Sequence, residues 1–258
     1  MCMEKKCSKK NIADHCYRIL LKGIKHVENE YIHFPHYSED SNEDGNEDGN
    51  EVGNKTLYRE RVFCYELYHQ IRKIQEEHAA DGRRVNFDVN GEPDKRGQEL
   101  FKDITGPIPD MIFHKIGSEK NYLVLEVKCS LSGTPENDKG KPTGIYKDFV
   151  NLSDFINIVH YELGVFLVYG VGMEELNKKF DCIGKFLSQQ YSDKLKEIFS
   201  HLRVIFLDES GPNEYYPIEQ DGMYLLRKIN KIISSPETHS HCLQMTPRHG
   251  AGLRRRSQ

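Results

Sequence analysis

The chain has 258 residues, 37% hydrophobic and 29% charged, with a formal net charge of −4; it can build a sizeable core as one large or two small domains, and no apolar run reaches the roughly 18 residues of a membrane span. Seven cysteines, odd in number and without a Cys-x-x-Cys pair, argue against a disulfide framework or a zinc site and for reduced thiols. No signal-like apolar core follows the basic start, so the sequence predicts a soluble, cytoplasmic protein with no membrane partner.

In residues 11–34, Ile12, Cys16, Ile19, Leu20, Ile24, Val27 and Tyr31 recur at steps of three and four. That spacing predicts an amphipathic helix ended by Pro35, inside an N-terminal helical segment of residues 1–37. Residues 38–54 carry seven acids, no Lys or Arg, and repeat Glu-Asp-Gly-Asn. Such a tract buries too little to order itself and predicts a disordered acidic linker. Outside it, 33 acids face 36 bases, a net of +3. A mildly basic body of this kind permits a polyanionic partner. Asp40, Asn42, Asp44, Gly45 and Glu51 also fit a calcium-loop pattern. Glu47 stands where that loop needs an apolar residue, and Pro35 falls in its entering helix, so the linker reading is preferred.

A domain of residues 55–235 follows. It is expected to open with a helix over 56–80, with Phe63, Leu67, Ile71 and Ile74 on one face. Glu66 falls at the edge of that stripe, where pairing with Arg59 or Gln70 is the simplest role. Alternation of Val85, Phe87 and Val89 predicts a strand over 84–89, and Asn90-Gly91 a turn. Residues 108–128 hold two apolar runs around a polar turn with Gly117, which predicts a hairpin closed between Lys115 and Lys120. Residues 129–144 read as a long flexible connection. Its Gly and Lys spacing departs from a phosphate loop because Pro135 stands where glycine is required, which leaves Lys139 and Lys141 as solvated charges or phosphate contacts. Beyond it come a helix over 146–162, a strand over 165–171, one or two helices over 174–202, a strand over 203–207 and a last helix over 222–233. The tail, residues 236–258 with Arg254-Arg255-Arg256, reads as disordered and basic.

The hairpin places charges where a buried strand should have none. Asp110 opens its first strand, and Glu126 and Lys128, two apart, leave the same face of the second. Antiparallel pairing brings all three to one point. Two buried carboxylates raise each other's cost of ionisation unless a cation lies between them. A hard divalent ion, Mg²⁺ or Mn²⁺, satisfies both and leaves positions for water and a phosphate oxygen. Lys128 would then orient the attacking water and offset charge growing at phosphorus. A structural salt bridge needs none of the surrounding features: Pro109 before Asp110, the apolar strand around Glu126, the hairpin register and the preceding helix.

Ile108-Pro109-Asp110 followed after fifteen residues by Glu126-Val127-Lys128 resembles the signature of the PD-(D/E)XK nuclease superfamily. The predicted order of elements over 56–171 is similar to that family's αβββαβ core. The resemblance implies an α/β, restriction-endonuclease-like fold with a central mixed β-sheet flanked by helices, and metal-dependent hydrolysis of nucleic acid, DNA in preference to RNA. It implies Mg²⁺ or Mn²⁺ held by Asp110, Glu126 and the carbonyl of Val127, with Lys128 serving the nucleophilic water. Many members add an acid on the first core helix, and Glu66 is the matching candidate. Arg72 or Lys147 would face phosphates. A homodimer or a partner protein for targeting is compatible with such an enzyme. The alternative from another class is a non-catalytic nucleic-acid-binding or assembly module that keeps the fold.

Overall fold

The computed structural model describes residues 8–32, 34–35, 56–57, 59–83, 85–91 and 108–229; the acidic tract and the basic tail lie outside them. Helix α1, Lys9–His26, starts where the Ser8 side chain accepts a hydrogen bond from the N–H of Asn11 at 3.2 Å. The expectation of one helix to residue 34 is corrected: Val27 turns extended and a 3₁₀ turn, Asn29–Tyr31, follows. Val27 and Ile32 are buried all the same. The tighter turn brings them back to the core, which is why the spacing imitated a longer helix. A two-residue pair, β1 (Phe34–Pro35) and β2 (Thr56–Leu57), precedes helix α2, Glu60–Ala80.

Among the described residues the remaining strands make one seven-stranded mixed sheet. They are β3 (Asp88–Gly91), β4 (Met111–His114), β5 (Asn121–Lys128), β6 (Leu163–Tyr169), β7 (Leu202–Asp208), β8 (Gly211–Gln220) and β9 (Met223–Lys228), paired in chain order. β5, β6 and β7 are parallel, and the pairings on either side of them are antiparallel. The β5–β6 crossover is α3, Gly144–Asn157, and the β6–β7 crossover contains α4, Met173–Tyr191, and α5, Leu195–Ser200. β5 and β6 are buried along nearly their whole length, as expected for parallel strands covered on both faces. Leu123, Leu125 and Val127 pack with α1 and α2 residues such as Leu20, Phe63 and Ile71, whereas Ile112 and Val124 share the opposite core with Phe149, Phe180 and Ile198.

Three further expectations are corrected. Asn90-Gly91 is no turn, because β3 continues through Gly91 and pairs it with Met111. The segment after Lys128 is tied down: Thr143 N–H donates to the Thr134 carbonyl at 2.9 Å and Ile145 N–H to the Ser132 carbonyl at 3.0 Å, just before α3. The helix expected over 222–233 is strand β9 as far as it is described. Asp221 and Gly222 both have positive φ, 52° and 74°, which is the type I′ hairpin preference of an Asp-Gly pair.

Among the described residues no helix is long and apolar enough to cross a membrane.

Candidate active site

The hairpin closes with Lys115 N–H donating to the Lys120 carbonyl at 2.9 Å, around Gly117 at φ 73°. Its register pairs Met111 with Leu125, so Asp110 falls beside the residues that follow Leu125. The Asp110 Oδ2 accepts the main-chain N–H of Val127 at 2.7 Å. Residues 110, 112, 124, 126 and 128 share the sheet face turned towards α3.

Glu126 is 4% exposed, and its Oε1 is buried without a hydrogen-bond partner among the described residues. Burial pushes its carboxyl well above the usual range, and the neighbouring carboxyls of Asp110 and Asp148 add to the push, while Lys128 opposes it. Asp110 is raised by burial too, though the Val127 N–H and the Lys128 ammonium hold it back.

Lys128 sits between two acids that belong to different helices. Its Nζ lies 3.0 Å from Glu60 Oε2 and 3.6 Å from Asp148 Oδ2. Burial alone would lower the ammonium, but Asp148, Glu60 and Asp110 together hold it above its usual value. Glu60 is in the first turn of α2, where a carboxylate faces the positive end of the helix. Its Oε1 accepts the N–H of Cys129 at 3.2 Å, so one side chain ties α2 to the end of β5. Asp148, 8% exposed, projects from α3, and burial pushes its carboxyl up to about 6 against the pull of Lys128.

Of the residues expected from sequence, the structure brings together Asp110, Glu126, Lys128 and the Val127 main chain. It does not bring Glu66. That side chain accepts a hydrogen bond from Gln70 on its own helix and faces Tyr31. Six residues past Glu60 amount to about 120° around the helix, which turns Glu66 to the flank away from β3. Lys139, Lys141, Lys147 and Arg72 are all exposed. Glu60 and Asp148 escaped the sequence reading. Asp148 left a trace, since it interrupts the inward stripe of Ile145, Phe149 and Leu152 with a charge. Glu60 left none beyond its place in a first helical turn.

No family model, curated protein or solved structure matches this chain.

The donor set can be judged on its own chemistry. Among the described residues no group of three or more His, Cys, Asp and Glu side chains is arranged to hold a metal ion. Mg²⁺ does not require three: it keeps several waters and binds through one or two carboxylates plus substrate oxygens. The Oε1 of Glu126 is a buried oxygen with no hydrogen-bond partner among the described residues, and the Asp110 carboxyl beside it, although it accepts the Val127 N–H, is raised by burial; both are oxygen donors. They fit a hard divalent cation, whereas the all-oxygen character does not suit a thiolate-preferring metal.

Proposed function

We propose that this chain is a metal-dependent nuclease of the PD-(D/E)XK type, with a restriction-endonuclease-like core running α2, β3, β4, β5, α3, β6 and DNA as its substrate. The observation that carries the reading is the meeting of Asp110, Glu126 and Lys128 at the ends of β4 and β5, with a Glu126 oxygen buried and unpartnered among the described residues. Asp110 and Glu126, with the carbonyl of Val127, would hold Mg²⁺ or Mn²⁺, which supplies Lewis-acid polarisation of a phosphodiester and a more acidic water. Lys128 offsets the negative charge that grows on the phosphoryl oxygens. Glu60 and Asp148 keep its ammonium charged and aimed. Val127 N–H fixes the Asp110 carboxylate.

Purified protein should cleave DNA in the presence of Mg²⁺ or Mn²⁺, and Lys128→Ala should reduce the rate by about 100-fold or more, the usual loss when one aimed charge is removed from a transition state. Wild-type cleavage no faster than that of Lys128→Ala would sink the reading.

One observation favours a second reading. Lys128 already has two carboxylate partners, as a structural ion-pair cluster in a non-catalytic module would require. That reading expects no rise in melting temperature with Mn²⁺. The nuclease reading expects a rise that disappears in Asp110→Ala and Glu126→Ala.

A further inference from the structure

Arg61, Tyr65, Tyr68 and Arg72 follow one another on α2 at steps of four, three and four. At 3.6 residues per turn they fall within about 60° of arc, in a stripe about 16 Å long. Arg61 and Arg72 are exposed, Tyr65 is 58% exposed, and Tyr68 is half-buried. The stripe starts at the candidate site, because Glu60, which holds Lys128, is the residue before Arg61. It also passes close to the main chain of Asp110, whose side chain leaves the opposite face of the sheet. A Cβ added at Gly91 would lie 3.7 Å from the Tyr68 ring and 3.9 Å from the Asp110 carbonyl oxygen, so ring and carbonyl flank the same point of β3. Glu76, one turn past Arg72, brings negative charge to the far end.

We propose that this flank of α2 is a platform for single-stranded nucleic acid, with the two tyrosine rings stacking on unpaired bases and the two arginines on phosphates, its Arg61 end lying beside Glu60 and hence Lys128. Ring faces on the side of a helix have nothing to stack on in a duplex, where each base is covered by its neighbours and by its partner. An unpaired strand offers them free base faces. Guanidinium groups at both ends suit phosphates, which they can bind in bidentate fashion. Any role of that end in cleavage rests on the nuclease reading; the binding itself does not.

The test uses the full chain with a chelator present, so that binding is read without turnover. Fluorescence anisotropy is followed with labelled oligo(dT), oligo(U) and a duplex of equal length. Wild type should bind a single strand, DNA or RNA, about ten-fold more tightly than duplex. Tyr65→Ala should weaken that binding about ten-fold while Tyr65→Phe retains it, since the ring and not the hydroxyl stacks. Arg61→Gln and Arg72→Gln should each lower the slope of log affinity against log salt by about 0.7. Equal affinity for single strand and duplex, or an unchanged Tyr65→Ala, overturns the proposal. Tyr65-dependent binding without metal-dependent cleavage would leave the platform standing and remove the nuclease reading, whereas cleavage without single-strand preference would do the reverse.

Discussion

Ionising Glu126 in the metal-free protein puts a charge in a place that is 4% exposed and where one of its oxygens has no partner among the described residues. Glu126→Gln removes that charge at nearly the same volume. In chelator it should raise the melting midpoint by about 2–4 °C, the shift that about 1 kcal/mol produces in a domain of this size, and it should abolish any Mn²⁺-induced rise. A scan of the two proteins with and without Mn²⁺ checks both. Asp148 allows a pH prediction. Burial lifts its carboxyl to about 6, with Lys128 pulling down and Asp110 and Glu60 pushing up. The folded state therefore holds a proton that the unfolded chain, with an ordinary Asp near 3.9, has released. Stability from this group is present below about pH 4 and is lost as pH rises through about 6. The stability difference between wild type and Asp148→Asn in chelator should accordingly turn against wild type by up to about 3 kcal/mol between those values, then level off. Urea titrations at several pH values measure it, and a flat difference contradicts the assignment. At this scale the acids on the hairpin were legible because they broke an apolar strand. Glu60 was not, since what singles it out is a contact with Lys128, 68 residues away in sequence.

Helix α4 meets β9 at a point where only glycine fits. A Cβ on Gly184 would come within 2.2 Å of Tyr224 Cγ. The Tyr224 N–H also donates to Asp181 Oδ1 on the same helix at 3.0 Å, so the element is fixed from both sides. Gly184→Ala should cost about 1–3 kcal/mol as an overpacking change, read as a lower urea midpoint. In a Tyr224→Ala background most of that cost should vanish, and additive effects would count against the contact. This strand was the element least legible in the sequence. The sequence predicts a helix over 222–233 there, and the competing signal, Asp221-Gly222, is only two residues long. The hairpin was legible because two signals agreed, the Gly117 turn and the apolar runs on either side. The connection before α3 looked loose because its restraints are hydrogen bonds between main-chain groups, which composition does not reveal.

Charge is a property of the whole molecule. Residues 38–54 account for the difference between a net −4 and a net +3. Deleting them should tighten binding of any polyanionic partner, and the gain should shrink as salt rises from about 50 mM to about 200 mM, where screening shortens the reach of charge. Anisotropy titrations at the two concentrations decide it; a gain independent of salt would point to something other than charge. The sheet itself was only partly legible, since β8 and β9 were not expected while a central mixed sheet flanked by helices was.

The position of the acid cluster, at the end of β5 and between two helices, has a kinetic side. Glu60 and Asp148 reach Lys128 from opposite directions along the chain, so the cluster exists only after α2, the hairpin and α3 have docked. Such long-range closure is slow compared with helix formation. On the nuclease reading, recovery of a Mn²⁺ response during refolding should therefore lag behind helical circular dichroism and coincide with completion of the sheet, which would make the cluster a built-in clock for the last step of folding.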